Sequence, residues 1–152
     1  MRQDGEGPAS PAAASSAPRV SLKAKWRGLL RALRHGDLGS RGEALAADFL
    51  RDKGYEILAR NYRVRGGEAD LVARADGKIV VVEVKARRSL RFGTPAEAVD
   101  RRKTRRVLRA GRSYCRAHGL SLALLRGDVV TVAWPGEGGE PVITHWPSVL
   151  AE

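Results

Sequence analysis

The alternation of apolar and polar residues between positions 55 and 87 predicts three consecutive β-strands. Gly66-Gly67 separates the first two strands, and Asp76-Gly77, a strong hairpin signal, separates the second from the third. The three strand-like segments are YEILARNYRV (55–64), GEADLVARAD (67–76) and KIVVVEVKAR (78–87).

Helical patterns flank these strands. Residues 39–54 (GSRGEALAADFLRDKG) space their apolar side chains as a helix does, with Ser40 as a candidate cap and Gly54 as the stop. A longer helix is predicted from about Pro95, because proline is favoured in a first helical turn, to His118.

Two further strand-like segments follow the second helix, residues 121–134, kinked at Gly127, and residues 141–146. The resulting order is helix, three strands, helix, and one or two strands. This order predicts an α/β fold in which helices flank a mixed central sheet.

The chain changes character before residue 38, so we divide it into a tail (1–37) and a folded domain (38–152). Residues 1–18 are mostly Ala, Ser, Pro and Gly, a composition typical of disorder. Residues 20–35 place leucines and a tryptophan at helical spacing among basic residues, which predicts a short basic amphipathic helix. This helix is interpreted as an arm for nucleic acid or a membrane surface, as an extension without a role, or as a mimic of an organelle transit peptide.

The net charge of the chain indicates the kind of partner that it binds. The chain has 28 Lys and Arg against 17 Asp and Glu, a net charge of +11, which favours a polyanionic partner such as nucleic acid. A GC-rich genome is the alternative source of part of this arginine excess. The single cysteine excludes an internal disulfide and fits a reducing, cytoplasmic location. No apolar run reaches about 18 residues, so we expect no stable membrane insertion.

The third strand carries the candidate chemistry. Glu83 and Lys85 share a strand face with the apolar residues that precede them, while the opposite face is wholly apolar. Asp70 is predicted to be a neighbour of Glu83 across the hairpin. Two close carboxylates repel each other unless a proton or a cation lies between them, and oxygen ligands favour Mg²⁺ or Mn²⁺. The three histidines are scattered and form no ligand motif.

Each helix adds one charged residue in an otherwise apolar stripe. Glu43 is aligned with Ala46, Ala47 and Leu50 and is therefore predicted to face the sheet. Lys103 lies in a stripe with Val99, Val107, Ala110 and Tyr114. The alternatives are a capping box between Ser40 and Glu43, a Lys103 side chain that extends past its neighbours to solvent, and an ordinary surface salt bridge between Glu83 and Lys85.

Asp70, a spacer of twelve residues and then Glu83-Val84-Lys85 resemble the PD-(D/E)xK nuclease core, whose element order is αβββαβ. Ala69 stands where the motif name has proline, a departure that does not touch the chemistry. Residues 38 to 134, from GSRGEALAADFLRDKG to RGDVVTV, closely resemble the YraN-type uncharacterised bacterial family, which is considered similar to archaeal Holliday junction resolvases.

The resemblance implies a restriction-endonuclease-like fold and a Mg²⁺-dependent (or Mn²⁺-dependent) endonuclease acting on branched or structured DNA. Asp70, Glu83 and the backbone carbonyl of Val84 would hold the metal, and Lys85 would orient or activate the attacking water. Glu43 would bind the metal through water or hold a second ion. Two residues are candidate auxiliaries, Glu68 and Lys103.

Basic residues after the third strand are predicted to follow the phosphate backbone. They are Arg87, Arg88, Arg91, Lys103, Arg105, Arg106 and Arg109. Phe92, in the loop between them, either anchors that loop on the core or stacks on a base. The alternative function is a non-catalytic nucleic-acid-binding protein on the same fold, and a membrane-surface role for the N-terminal helix is a third. The two-fold symmetry of DNA junctions favours a homodimer.

Overall fold

The computed structural model describes residues 37–90, 99–136 and 139–152. Its elements follow the predicted order and confirm the mixed α/β fold. They are α1 (Leu38–Asp52), β1 (Glu56–Val64), β2 (Gly67–Ala75), β3 (Lys78–Arg87), α2 (Arg101–Ala117), a 3₁₀ helix (Leu122–Leu124), β4 (Leu125–Ala133) and β5 (Val142–Leu150).

The five strands form one sheet in the order β1-β2-β3-β4-β5. β3 and β4 are parallel, and every other neighbouring pair is antiparallel. Helix α2 lies between β3 and β4 in sequence, as the crossover that a parallel pair needs. The architecture therefore matches the αβββαβ order of a restriction-endonuclease-like core, with β5 added at one edge.

The two helices cover opposite faces of the sheet. Val80 and Val82 of β3 pack in a core cluster with α1, while Ile79 and Val81 pack with α2. Because side chains alternate along a strand, Glu83 and Lys85 leave β3 on the α2 side. The alternation predicted for β3 is confirmed.

The start of α1 differs from the prediction. Asp37, not Ser40, is the N-cap, and its side chain accepts hydrogen bonds from the Ser40 amide at 2.8 Å and the Ser40 hydroxyl at 3.1 Å. The helix begins at Leu38, so Ser40 already lies inside the first turn. The capping-box alternative for Glu43 is therefore wrong.

The start of α2 also differs. Asp100 is an extended N-cap that accepts from the Lys103 amide at 2.7 Å, so the helix begins at Arg101, later than Pro95. The segment predicted as a strand from residue 121 instead opens with the short 3₁₀ helix, and β5 extends four residues beyond residue 146. A register irregularity between Gly127 and Val129 in the β4–β5 pairing corresponds to the predicted kink.

Several predictions lie outside the described residues. These are the disordered segment 1–18, the basic helix at about 20–35, Arg91, Phe92 and Pro95. Within the described ranges, no helix is long and apolar enough to cross a membrane.

Helix α1 approaches the end of β3 very closely at Gly42. A β-carbon added to Gly42 would lie 2.8 Å from the β-carbon of Ala86. Only glycine permits this approach without a shift of the backbone. Gly42 thus fixes the distance between β3 and the next helix residue, Glu43.

Candidate active site

β2 and β3 separate at the predicted site. Their backbone pairing ends at Leu71 and Val82, and beyond it Asp70 Oδ2 accepts a hydrogen bond from the Val84 amide at 2.7 Å. Ala69 packs with the α2 cluster whereas Leu71 packs with the α1 cluster, so the alternation predicted for β2 is interrupted at Asp70. Because β2 and β3 separate here, the Asp70 carboxylate binds the backbone of β3.

Glu83 is the buried centre of the cluster. Its side chain is 3% exposed, and its Oε1 lies 3.4 Å from Lys85 Nζ and 3.5 Å from Lys103 Nζ. Its Oε2 is buried and has no hydrogen-bond partner among the residues that the structure describes. Neither Asp70 nor Glu83 can donate when both are ionised, so a contact between them requires a proton or a cation.

The protonation of Glu83 reflects this position. Burial is the largest influence and the neighbouring Asp70 the next, and together they raise the pKa of Glu83 to about 7. Lys103 and Lys85 lower the pKa but do not cancel the rise. Near neutral pH this carboxyl group is therefore poised between its charged and neutral forms.

Glu43 approaches the same cluster from α1. Burial and then the charge of Asp70 raise the pKa of Glu43, while a hydrogen bond from the Asn61 side chain lowers it. Asn61, on β1, was not predicted from the sequence. A polar residue of low strand propensity inside YEILARNYRV was the only available signal for it.

Glu68, the predicted reserve ligand, is held by basic residues. Its two carboxylate oxygens pair with Arg63 Nε at 3.1 Å and with Arg106 Nη2 at 3.4 Å. Glu68 therefore joins β1, β2 and α2 through ion pairs, and its oxygens are occupied.

The donors present fit a hard divalent cation. Among the residues that the structure describes, no three His, Cys, Asp or Glu side chains lie close enough together to enclose a metal ion. Mg²⁺ does not require such a cage, since it usually binds through one or two carboxylates and completes its shell with water and substrate phosphate. Asp70 and Glu83, with the unpartnered Glu83 Oε2, meet that requirement.

The basic residues predicted to contact nucleic acid differ in solvent exposure and in ion pairing. Arg88, Arg105 and Arg109 are exposed, and Arg87 is half-buried at the end of β3. Lys103 and Arg106 are also half-buried and pair with Glu83 and Glu68. Other exposed arginines include Arg63 and Arg65 near the β1–β2 turn, and Arg101 and Arg102 at the start of α2.

The structure contains a second polar network, around Asp128, that the sequence did not predict. Asp128 is fully buried on β4 and accepts from His145 Nε2 at 2.7 Å, from two nitrogens of Arg126 at 2.9 and 2.8 Å, and from the Ser148 amide at 2.9 Å. Lys53 Nζ lies 2.8 Å from His145 Nδ1. Lysine can only donate, so this contact places the ring proton on Nε2, facing Asp128.

Burial and hydrogen bonding act on the pKa of Asp128 in opposite directions. Burial alone would raise the pKa of Asp128, but the hydrogen bonds from His145, Arg126 and Ser148 outweigh it and hold the pKa below its ordinary value. The only sequence signal was an aspartate inside the apolar strand RGDVVTVA. Its partners are far away along the chain, so their identity was not predictable.

Comparison with known proteins agrees with the resemblance drawn from the motifs. A model of the uncharacterised protein family UPF0102 matches residues 42–132. A UPF0102 protein of Clavibacter michiganensis is 46% identical over 110 residues, which cover 72% of this chain and 92% of that protein. A UPF0102 protein of Nocardia farcinica is 48% identical over 113 residues, covering 74% and 88%. A third, of Syntrophomonas wolfei, is 46% identical over 109 residues, covering 72% and 93%.

Proposed function

The chain belongs to the uncharacterised protein family UPF0102, and from its carboxylate site we propose that it is a divalent-metal-dependent endonuclease for branched or structured DNA. The observation that carries the proposal is the buried pair Asp70 and Glu83, in which Glu83 Oε2 has no hydrogen-bond partner within the described part of the chain. A buried carboxylate oxygen that accepts no hydrogen bond is costly for folding, and a cation bound to that oxygen would offset the cost.

The metal would be Mg²⁺ or Mn²⁺. Asp70, Glu83 and the backbone carbonyl of Val84 would hold it, with Glu43 contributing through water. When bound, the ion supplies a hydroxide-like nucleophile at neutral pH and neutralises charge on the phosphate.

Two lysines, Lys85 and Lys103, pair with the same oxygen of Glu83. Both ammonium groups lie within 3.5 Å of Glu83 Oε1, one from the same strand and one from α2. In the reaction, Lys85 would orient the attacking water and donate to the phosphoryl oxygens as they gain charge. Lys103 would hold a neighbouring phosphate and balance the charge on Glu83.

The basic surface supports nucleic acid as the substrate class. The exposed arginines of α2 extend away from Lys103 along the helix, and a phosphate backbone is the polyanion that such a row fits. The choice of DNA with branches rests on the resemblance to junction resolvases. No stretch of the chain matches a base-reading motif, so we expect recognition of structure rather than of sequence.

A cleavage panel tests the proposal. Purified protein is incubated with four-way, flap, single-stranded and duplex DNA and with RNA, with Mg²⁺, Mn²⁺ or EDTA. We expect metal-dependent cleavage that Asp70→Ala, Glu83→Ala and Lys85→Ala abolish while binding persists. Lys78→Ala is the matched control, because Lys78 is an exposed lysine at the other end of β3. Binding to the panel without cleavage under any metal condition would favour the non-catalytic alternative.

A further inference from the structure

Asn61 has an unusual backbone for its place in the sheet. Its φ is +47°, a left-handed value, although it lies within β1. Its neighbours keep regular pairing with β2, Arg60 with Leu71 and Tyr62 with Ala69. Asn61 therefore stands opposite Asp70 in the register.

The other two non-glycine residues with positive φ in the described ranges have local explanations. Asp76 precedes Gly77 in the tight turn between β2 and β3. Ser148 directs its amide to Asp128 at 2.9 Å, within the buried network. Asn61 is exposed and belongs to no turn, so neither explanation applies to it.

The side chain of Asn61 supplies the explanation. It hydrogen-bonds to Glu43, so a contact runs from the edge strand β1 to α1, and Glu43 is also close enough to Asp70 to feel its charge. Asparagine tolerates the left-handed region better than most residues, and strained backbone residues cluster at functional sites. A carboxylate that accepts one amide N–H keeps further lone pairs for water or a cation.

We propose that Asn61 is a positioning residue of the carboxylate site, which holds Glu43 beside Asp70 for the binding of a divalent cation. The inference rests on the proposed function. Glu43 and Asp70 are like charges and repel each other. The amide of Asn61 opposes that repulsion by fixing the Glu43 side chain in place, so its loss lets Glu43 turn away from the site.

The test measures Mn²⁺ binding to the full-length chain by isothermal titration calorimetry, without a cleavage readout. Asn61→Gly removes the amide but accepts the left-handed backbone, so the fold is preserved, which an unchanged thermal unfolding midpoint verifies. Asp76→Gly is the matched control, since it makes the same change at a positive-φ position in a turn. We expect Asn61→Gly to weaken Mn²⁺ binding about tenfold, the size typical of a residue that orients a ligand, and Asp76→Gly to leave it unchanged.

A second pair of variants tests the route through Glu43. In a Glu43→Gln background, Asn61→Gly should cause no further loss of affinity, because the carboxylate that it positions is already gone. Equal losses in both backgrounds would overturn the inference. Wild-type Mn²⁺ binding that Asn61→Gly leaves intact would also overturn it and would leave the proposed function standing. A wild-type chain that binds no Mn²⁺ would refute the proposed function and the inference together.

Discussion

Lys103 Nζ lies 3.5 Å from Glu83 Oε1, so helix α2 supplies a positive charge to a buried carboxylate on β3. The position of Lys103 is set by Asp100, whose carboxylate caps the helix through the Lys103 amide at 2.7 Å. The charge balance of the strand therefore depends on where the helix begins.

Lys103→Met should shift the pH dependence of Mg²⁺ binding at the proposed site. Without the ammonium group, the pKa of Glu83 rises above about 7, and its charged form is present only at higher pH. A rise of one pKa unit lowers the charged fraction at pH 7 about fivefold. We expect a similar weakening of Mg²⁺ binding at pH 7 and recovery near pH 9, measured by calorimetric titration at a series of pH values. Arg102→Met, at an exposed neighbour, is the control. Coincident profiles for the two variants would count against this role.

Glu83 should make the metal-free protein less stable as pH rises. Its pKa is about 7 in the folded state and 4.5 ordinarily, so the folded state binds the proton more tightly. The resulting stabilisation is complete below pH 4.5, is lost as pH rises through about 7, and amounts to roughly 3 kcal/mol.

Urea unfolding in EDTA at pH 5 and pH 8 measures this effect. Glu83→Gln should gain stability relative to wild type at pH 8 but not at pH 5, since glutamine carries no charge at either pH. Added Mg²⁺ should raise the unfolding midpoint of wild type at pH 8 and leave that of Glu83→Gln unchanged. A stability difference between the two proteins that is the same at both pH values would contradict the assignment.

Gly42→Ala should destabilise the protein by about 1–3 kcal/mol, because the new methyl group meets Ala86 at 2.8 Å and pushes α1 from β3. Ala86→Gly removes the opposing methyl group, so the double variant should be more stable than the sum of the single changes predicts. Guanidinium unfolding of all four proteins gives the coupling energy. Additive losses would show that the contact is not the cause.

Asp128→Asn should cost about 3 kcal/mol, because it leaves Arg126 and His145 without their buried charged partner. Glu56→Gln is the comparison, since Glu56 pairs with Arg74 at the surface and such pairs contribute about 0–1 kcal/mol. Urea unfolding at pH 7 measures both. Equal costs would mean that the buried network adds nothing beyond a surface pair.

The pattern of apolar and polar residues was sufficient to predict the strands and most members of the carboxylate–lysine cluster. Turn residues such as Asp76-Gly77 are local signals, so the bounds of β2 and β3 were predictable to within a residue. Alternation and hairpin register predicted Asp70 and Glu83 as neighbours, but they did not predict that β2 and β3 separate there and that Asp70 accepts from the Val84 amide. Because Lys103 lay in an apolar helical stripe, its inward direction was also predictable.

Features that depend on backbone detail were not predictable. Asn61 has a left-handed backbone within β1, which no periodicity encodes. The cap at Asp37 competed with Ser40, an equally good cap by residue type. The contact between Lys53 and His145 joins residues 92 positions apart, and only the assembled sheet brings them together.

The buried hydrogen bonds of Asp128 bear on the order in which the strands assemble during folding. Asp128 reaches the interior with β4, but His145 and Ser148 follow it on β5. If β4 pairs with β3 before β5 is in place, the Asp128 carboxylate keeps its contacts with Arg126 but lacks the donors His145 and Ser148. Because only β5 completes the hydrogen bonds to this buried carboxylate, we expect the pairing of β3 with β4 to become stable only once β5 has docked.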